Sequence, residues 1–259
     1  MTRRRLLIAL AVVVGGVAVL YGAVWFYAAV INDAPDALDT DDLDAALAAT
    51  TTTAAVAVDS TTPASTTAPT EPSPTSTVAD SVDAEGRSEW VITEGSELGY
   101  RVAEVLFGVN TEGVGRTNDV TGGITIEGST MTAASFEVDV ASITSDDGRR
   151  DGQFRGRIME TDRFPTANFV LTSPVELGTT AVDGAEATVV VAGDLTMHGV
   201  TRPVTVEVTA RIADGRLGVL GTIPVVFTDF DIVDPSLPAI TVEPDGLIEF
   251  VLVLIPAAS

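Results

Sequence analysis

The sequence predicts an all-β domain of antiparallel strands, a barrel or a sandwich, carried behind one transmembrane helix and a disordered stalk. Three observations predict it. From about Glu89 to Ser259, apolar and polar residues alternate with period two in segment after segment. Short turn signals such as Glu127-Gly128-Ser129 and Ala213-Asp214-Gly215 separate those segments. Everything before Glu89 has a different composition, first apolar and then acidic and Thr/Ser/Pro-rich.

Residues 1–31 read as a membrane anchor. Arg3, Arg4 and Arg5 precede an uncharged stretch from Leu6 to Ile31, longer than the roughly 20 residues a helix needs to cross a bilayer. Tyr21, Trp25, Phe26 and Tyr27 stand where an interfacial aromatic belt belongs. The arginines stay on the cytoplasmic side, which puts the C-terminal domain outside the cell membrane. A cleaved signal peptide is the rival reading, although the apolar run is long for one. Residues 32–88 read as the stalk. Asp33, Asp36, Asp39, Asp41, Asp42 and Asp44 open it, a short helix around Leu38–Ala49 is compatible with its Ala and Leu content, and Thr, Ser and Pro dominate from Ser60 to Thr77. Such a composition buries too little apolar surface to offset chain entropy, so a disordered spacer is expected. O-linked sugars on it are a further hypothesis.

Residues 89–259 form the expected folded domain. Ile124 and Ile126, then Phe136, Val138 and Val140, then Val204, Val206 and Val208 alternate with polar neighbours. Val189–Val191, Val225–Phe227 and Phe250–Leu254 are continuous apolar runs. Val182-Asp183-Gly184 and Pro244-Asp245-Gly246 supply further turns. Asp146 to Asp162 is charged and poor in β-branched residues, and predicts a helical or irregular crossover.

Composition removes several functions. The net charge is -23, from 37 acidic against 14 basic residues, all of them Arg, so nucleic-acid phosphates would be repelled. The chain has no Cys and one His, which excludes disulfides and thiolate chemistry and makes a zinc site a poor fit. No metal and no other cofactor is expected. Asp229, Asp231 and Asp234 are spaced somewhat like calcium ligands, but no glycine and terminal Glu complete a loop. His198, in Met197-His198-Gly199, is expected in a solvent-facing turn, and no cluster supplies nucleophile, base and oxyanion donor together.

Several stretches of the domain resemble the YceI-like family over residues 89–256. They include Trp90-Val91-Ile92, Ser96–Val102, Val114-Gly115-Arg116-Thr117, Ser142–Asp146 running into Arg149-Arg150-Asp151, and Asp162–Phe169. The most specific is Gly193–Val204, which contains Leu195-Thr196-Met197-His198-Gly199. Asp229-Phe230-Asp231-Ile232 resembles a recurrent D-F-G-I element, with Asp231 in place of Gly. Gly152-Gln153-Phe154-Arg155-Gly156 departs from the family pattern. The resemblance implies an extended, lipocalin-like antiparallel barrel that holds a polyisoprenoid or other long-chain amphiphile inside.

On that expectation the lining residues would be Tyr100, Val102, Phe107, Phe136, Phe169, Val206, Val208 and Phe227. Each could equally fill an ordinary packed core. Arg149, Arg150 and Asp151 are candidates for the barrel mouth and a polar head group, against the plainer reading that Arg150 and Asp151 fix the crossover by ion pairs. The expected partners are a long-chain lipid and the membrane, with no nucleic acid. The leading function is lipid binding by an extracytoplasmic tethered barrel. The alternative is a cell-envelope interaction or adhesion domain with a packed barrel, and an enzyme on lipid-like substrates ranks third.

Overall fold

Alternating burial along each strand builds the molecule, a computed structural model that describes residues 34–49, 86–177, 186–238 and 240–257, together with helical Val14–Gly16, Val19 and Gly22. Twelve strands follow in chain order: β1 (Arg87–Ile92), β2 (Glu97–Leu106), β3 (Val109–Thr117), β4 (Val120–Glu127), β5 (Thr130–Asp139), β6 (Thr166–Leu171), β7 (Val175–Glu176), β8 (Glu186–Met197), β9 (Val200–Ala213), β10 (Arg216–Val226), β11 (Ile240–Val242) and β12 (Asp245–Pro256). In β8, Val191, Leu195 and Met197 are buried while the residues between them are more exposed, the one-face-in pattern expected of a barrel wall. The predicted turns at 127–129 and 213–215 join β4 to β5 and β9 to β10, whereas Val182–Gly184 falls outside the described residues. Phe227, expected to continue a strand, instead opens a 3-10 turn, Phe227–Phe230. Asp231 caps that turn at φ 54°, a left-handed conformation that glycine adopts freely and Asp tolerates.

Eight strands close the barrel in the order β1-β4-β5-β6-β8-β9-β10-β12, all neighbours antiparallel, so the barrel reading holds over the sandwich. Closure comes from β12, which divides its free edge between two partners. Its second half pairs with β1, Leu254 opposite Ile92, and its first half pairs with β2, Leu247 opposite Arg101. The β2–β3 hairpin therefore extends the wall beyond the closed section, and β11 lies along its outer end with Ile240 opposite Leu106. One end of the barrel carries the β2–β3 turn, the β8–β9 turn, and the loop between β10 and β12.

The predicted crossover also lies at that end. It consists of a 3-10 turn (Val140–Ser142), helix α2 (Gly148–Gln153) and a π-helical turn (Phe154–Ile158). Asp147 caps α2 by accepting from the Arg149 N–H. Phe154 and Ile158, four residues apart, turn their side chains to the barrel core with Met159. Arg157 donates to the carbonyls of Asp234 (2.9 Å) and Pro235 (2.6 Å), which ties the crossover to the loop before β11.

The short helix expected around Leu38–Ala49 is present and docked, while residues 50–85 of the expected stalk fall outside the described residues. Residues 34–49 lie on the outer wall of the barrel, and Thr40–Ala49 form helix α1. Leu38, Leu43 and Leu47 are buried against Val251 and Val253, on the outward face of β12. Gly218 of β10 makes the seat, since a Cβ there would stand 2.6 Å from the Leu43 side chain. Arg101 donates to the Pro35 carbonyl at 2.7 Å and Arg116 to that of Asp36 at 2.6 Å, and Arg211 pairs with Asp44. Apolar burial of three leucines, at roughly 25 cal/mol per Å², is what an acidic spacer composition concealed. The anchor predicted over residues 1–31 falls mostly outside the described residues. Among the described residues no helix is long and apolar enough to cross a membrane.

Candidate ligand-binding cavity

The inward side chains do not fill the barrel. They surround a cavity of about 620 Å³, within the 300–1,000 Å³ usual for small-molecule sites. Its walls come from nearly every strand: Ile124 of β4, Val138 of β5, Leu195 of β8, Val219 and Ile223 of β10, and Phe250 and Leu252 of β12. The crossover lines one end with Phe154, Ile158 and Met159. Most of the polar groups that reach the cavity, among them Glu104, Asp147, Arg149, Arg150 and Gln153, gather toward the crossover end, and Arg211 of β9 lies near the other. The site is thus an apolar chamber with most of its charges toward one end. Such a chamber suits a slender hydrocarbon, each buried methylene contributing about 0.8 kcal/mol.

All eight residues expected to line the barrel do so: Tyr100, Val102, Phe107, Phe136, Phe169, Val206, Val208 and Phe227. They stand on β2, the β2–β3 turn, β5, β6, β9 and the 3-10 turn after β10. Tyr100 stacks on Phe154, with ring centroids 4.8 Å apart and planes at 19°. Gly115 leaves room for this ring, since a Cβ there would lie 2.5 Å from it. Burial pushes the Tyr100 phenol up to about 12, against the attraction of Arg150, while Asp151, Glu104 and Asp146 push it further in the same direction. It therefore stays a neutral donor at physiological pH.

The three expected head-group residues part company. Asp151 is buried, and its carboxylate accepts from the Ser145 N–H at 2.8 Å and the Ser145 hydroxyl at 2.7 Å, so it fixes the loop before α2. Arg150 lines the cavity but pairs with Glu104 at 3.2 Å and with Asp146. Burial alone would lower its pKa, and Glu104 and Asp146 outweigh that and hold it above the ordinary value. Arg149 is exposed, reaches the cavity, and has no ion pair among the described residues. His198 departs from its expected exposure. It sits in the β8–β9 turn at φ 53°, is 9% exposed, packs on Phe164 with ring centroids 4.6 Å apart, and its Nδ1 lies 3.1 Å from the Phe230 carbonyl. Its role in this fold is to join the turn to the segment after β10.

Sequence reasoning passed over Phe154, Ile158 and Met159. The signal was present as two apolar residues at helical spacing inside a charged crossover.

A model of the YceI-like domain matches residues 90–254. This chain belongs to the YceI-like family. A UPF0312 protein of Shewanella sp. (strain MR-4) is 29% identical over 179 residues, spanning 65% of this chain and 84% of that protein. Another, from Pseudomonas putida (strain GB-1), is 30% identical over 178 residues, spanning 65% of this chain and 83% of its own length. Among solved structures, a polyisoprenoid binding domain from Saccharophagus degradans, implicated in plant cell wall breakdown, superposes with a TM-score of 0.54. It is 20% identical and covers 66% of this chain and 99% of that domain, a likeness of fold. The YceI-like region of this chain is the barrel itself, from β1 into β12.

Proposed function

We propose that this protein binds a polyisoprenoid or another long-chain amphiphile inside its barrel, on the extracytoplasmic side of the membrane, tethered by its N-terminal apolar segment. The observation that carries the reading is the cavity of about 620 Å³, walled mainly by apolar side chains, with most of its polar lining toward the crossover end. A tail occupies the chamber between Phe136, Phe169, Val206 and Val208. Arg149 and the Tyr100 hydroxyl meet a polar head group at the crossover end, and Arg150 contributes its charge from within its ion pairs. Family membership and the fold likeness to a polyisoprenoid binding domain support the ligand class. The Arg3–Arg5 cluster and the Leu6–Ile31 stretch support the tether and its orientation.

Native and denaturing mass spectra of the protein, made in a lipid-rich host and offered polyisoprenoids, test the reading. Extra mass that is lost on denaturation is expected, and the released species identifies the lipid. A mass equal to the bare chain under both conditions would overturn the proposal in favour of an interaction domain.

A further inference from the structure

Beside the polar groups at the crossover end, the rim of the cavity also exposes large apolar side chains. Phe107 is 51% exposed, Val233 48% and Leu237 40%. Phe107 forms the two-residue β2–β3 turn with Gly108 and holds φ 50°, a conformation that costs a bulky residue on the order of 1 kcal/mol and that Asn or Gly would adopt more readily. Leu237 stands close by. It exchanges both backbone hydrogen bonds with Ile240 at 2.9 Å, and Ile240 is the partner of Leu106, next to Phe107. Phe107 and Leu237 both also line the cavity, so the lip and the chamber are continuous.

The route of the N-terminal segment says what this lip faces. Pro35 is held at Arg101, and α1 then runs toward Gly218 and Gly95, away from the lip. Pro35 therefore stands at the level of Arg101, with α1 on the side of it away from the lip. Arg101 is five residues from Leu106 along β2, about 17 Å at the rise of a strand. Ile31, the last residue of the apolar stretch, is three residues from Ala34 and so within about 11 Å of it, the span of a fully extended chain. Residues 34–49 are bound to the wall, so only two residues of the sequence separate that bound segment from the end of the apolar stretch.

We propose that the lip formed by Phe107, Val233 and Leu237 rests in the surface of the bilayer that the N-terminal segment enters. The cavity then opens onto the acyl-chain boundary, and an amphiphile passes between bilayer and barrel without crossing water. This inference rests on the tethered reading given above. Asp229, Asp231, Asp234 and Glu243 belong to the connection from β10 to β12 that carries Val233 and Leu237, and Asp245 opens β12, so apolar insertion drives docking and anionic lipid does not strengthen it.

The chain has no Cys, which permits single-site labels. The full chain is reconstituted into phosphatidylcholine vesicles with an environment-sensitive fluorophore at Asn110→Cys, beside the lip, or at Ser129→Cys, in the turn at the far end. Spin-labelled phosphatidylcholine should quench the first severalfold more than the second. Phe107→Ser with Leu237→Ser, both at exposed positions, should remove that difference while the melting temperature holds. Adding phosphatidylglycerol should not increase it. Equal quenching at the two sites on protein that floats with the vesicles would overturn the docking and leave the tether standing. Protein that fails to float would overturn both.

Discussion

The two faces of β12 are both buried, by opposite means. Inward, Ile248, Phe250 and Leu252 border empty space. Outward, Val251 and Val253 lie under α1, and Glu249, 1% exposed, accepts from Arg101 at 2.7 Å and Arg116 at 3.2 Å. Glu112 and Glu97 complete the charge cluster. Burial works against the Arg101 charge, but its hydrogen bonds to Glu249 and Glu112 hold its pKa above the ordinary value. The outer face is thus filled and satisfied, and the inner face is left unfilled. Stability should depend on the outside of this strand and ligand binding on the inside.

The largest expected effect tests the outside. Glu249→Ala strands Arg101 and Arg116 in a buried site and should cost about 3–5 kcal/mol in chemical denaturation. Next, Leu43→Ala, at a residue with no exposed surface, should cost about 2–4 kcal/mol. Ligand occupancy of the surviving folded protein should be unchanged, and a matching loss of occupancy would erase the division between the faces. Inside, Val206→Phe should abolish ligand uptake and move stability by less than about 1 kcal/mol, whereas a filled barrel would lose about 1–3 kcal/mol to overpacking.

The smallest effect is at Tyr100. Its pKa is raised to about 12 from 10.0, so its contribution to stability is fully present below pH 10 and is lost as the pH rises toward 12. The Tyr100→Phe protein should lack that loss. The difference in phenolate absorbance between the two proteins should titrate above pH 10, and titration at the ordinary value would show the ring exposed.

The strands and their inward faces were legible because period-two patterns assign them directly, as with Phe136 and Val206, while the choice of a barrel over a sandwich came with the family resemblance. The short helix was legible from its Ala and Leu content, but its docking was not. Leu43 and Leu47, with Leu38 before them, are scattered among aspartates, and their partners lie some 200 residues later, too far for any local pattern. A signal did exist in Phe250–Leu254, a continuous apolar run longer than Val189–Val191 and Val225–Phe227, which implies burial on both faces. His198 was misplaced for a related reason: it is a polar residue at a turn, and only its contacts with Phe164 and Phe230 make it internal. Asp151 takes the plainer of its two expected roles and fixes the crossover through Ser145.

The attachment of α1 also changes what a protease could achieve. Residues 50–85 join two points that are each fixed on the same barrel, so a cut among them removes a covalent bond without removing the contact. The severed piece would persist as a bound fragment, and the barrel would depart only at the rate at which that fragment dissociates. If the chain is tethered as proposed, shedding from the membrane would then be a delayed event, its half-life set by three leucines and one glycine seat.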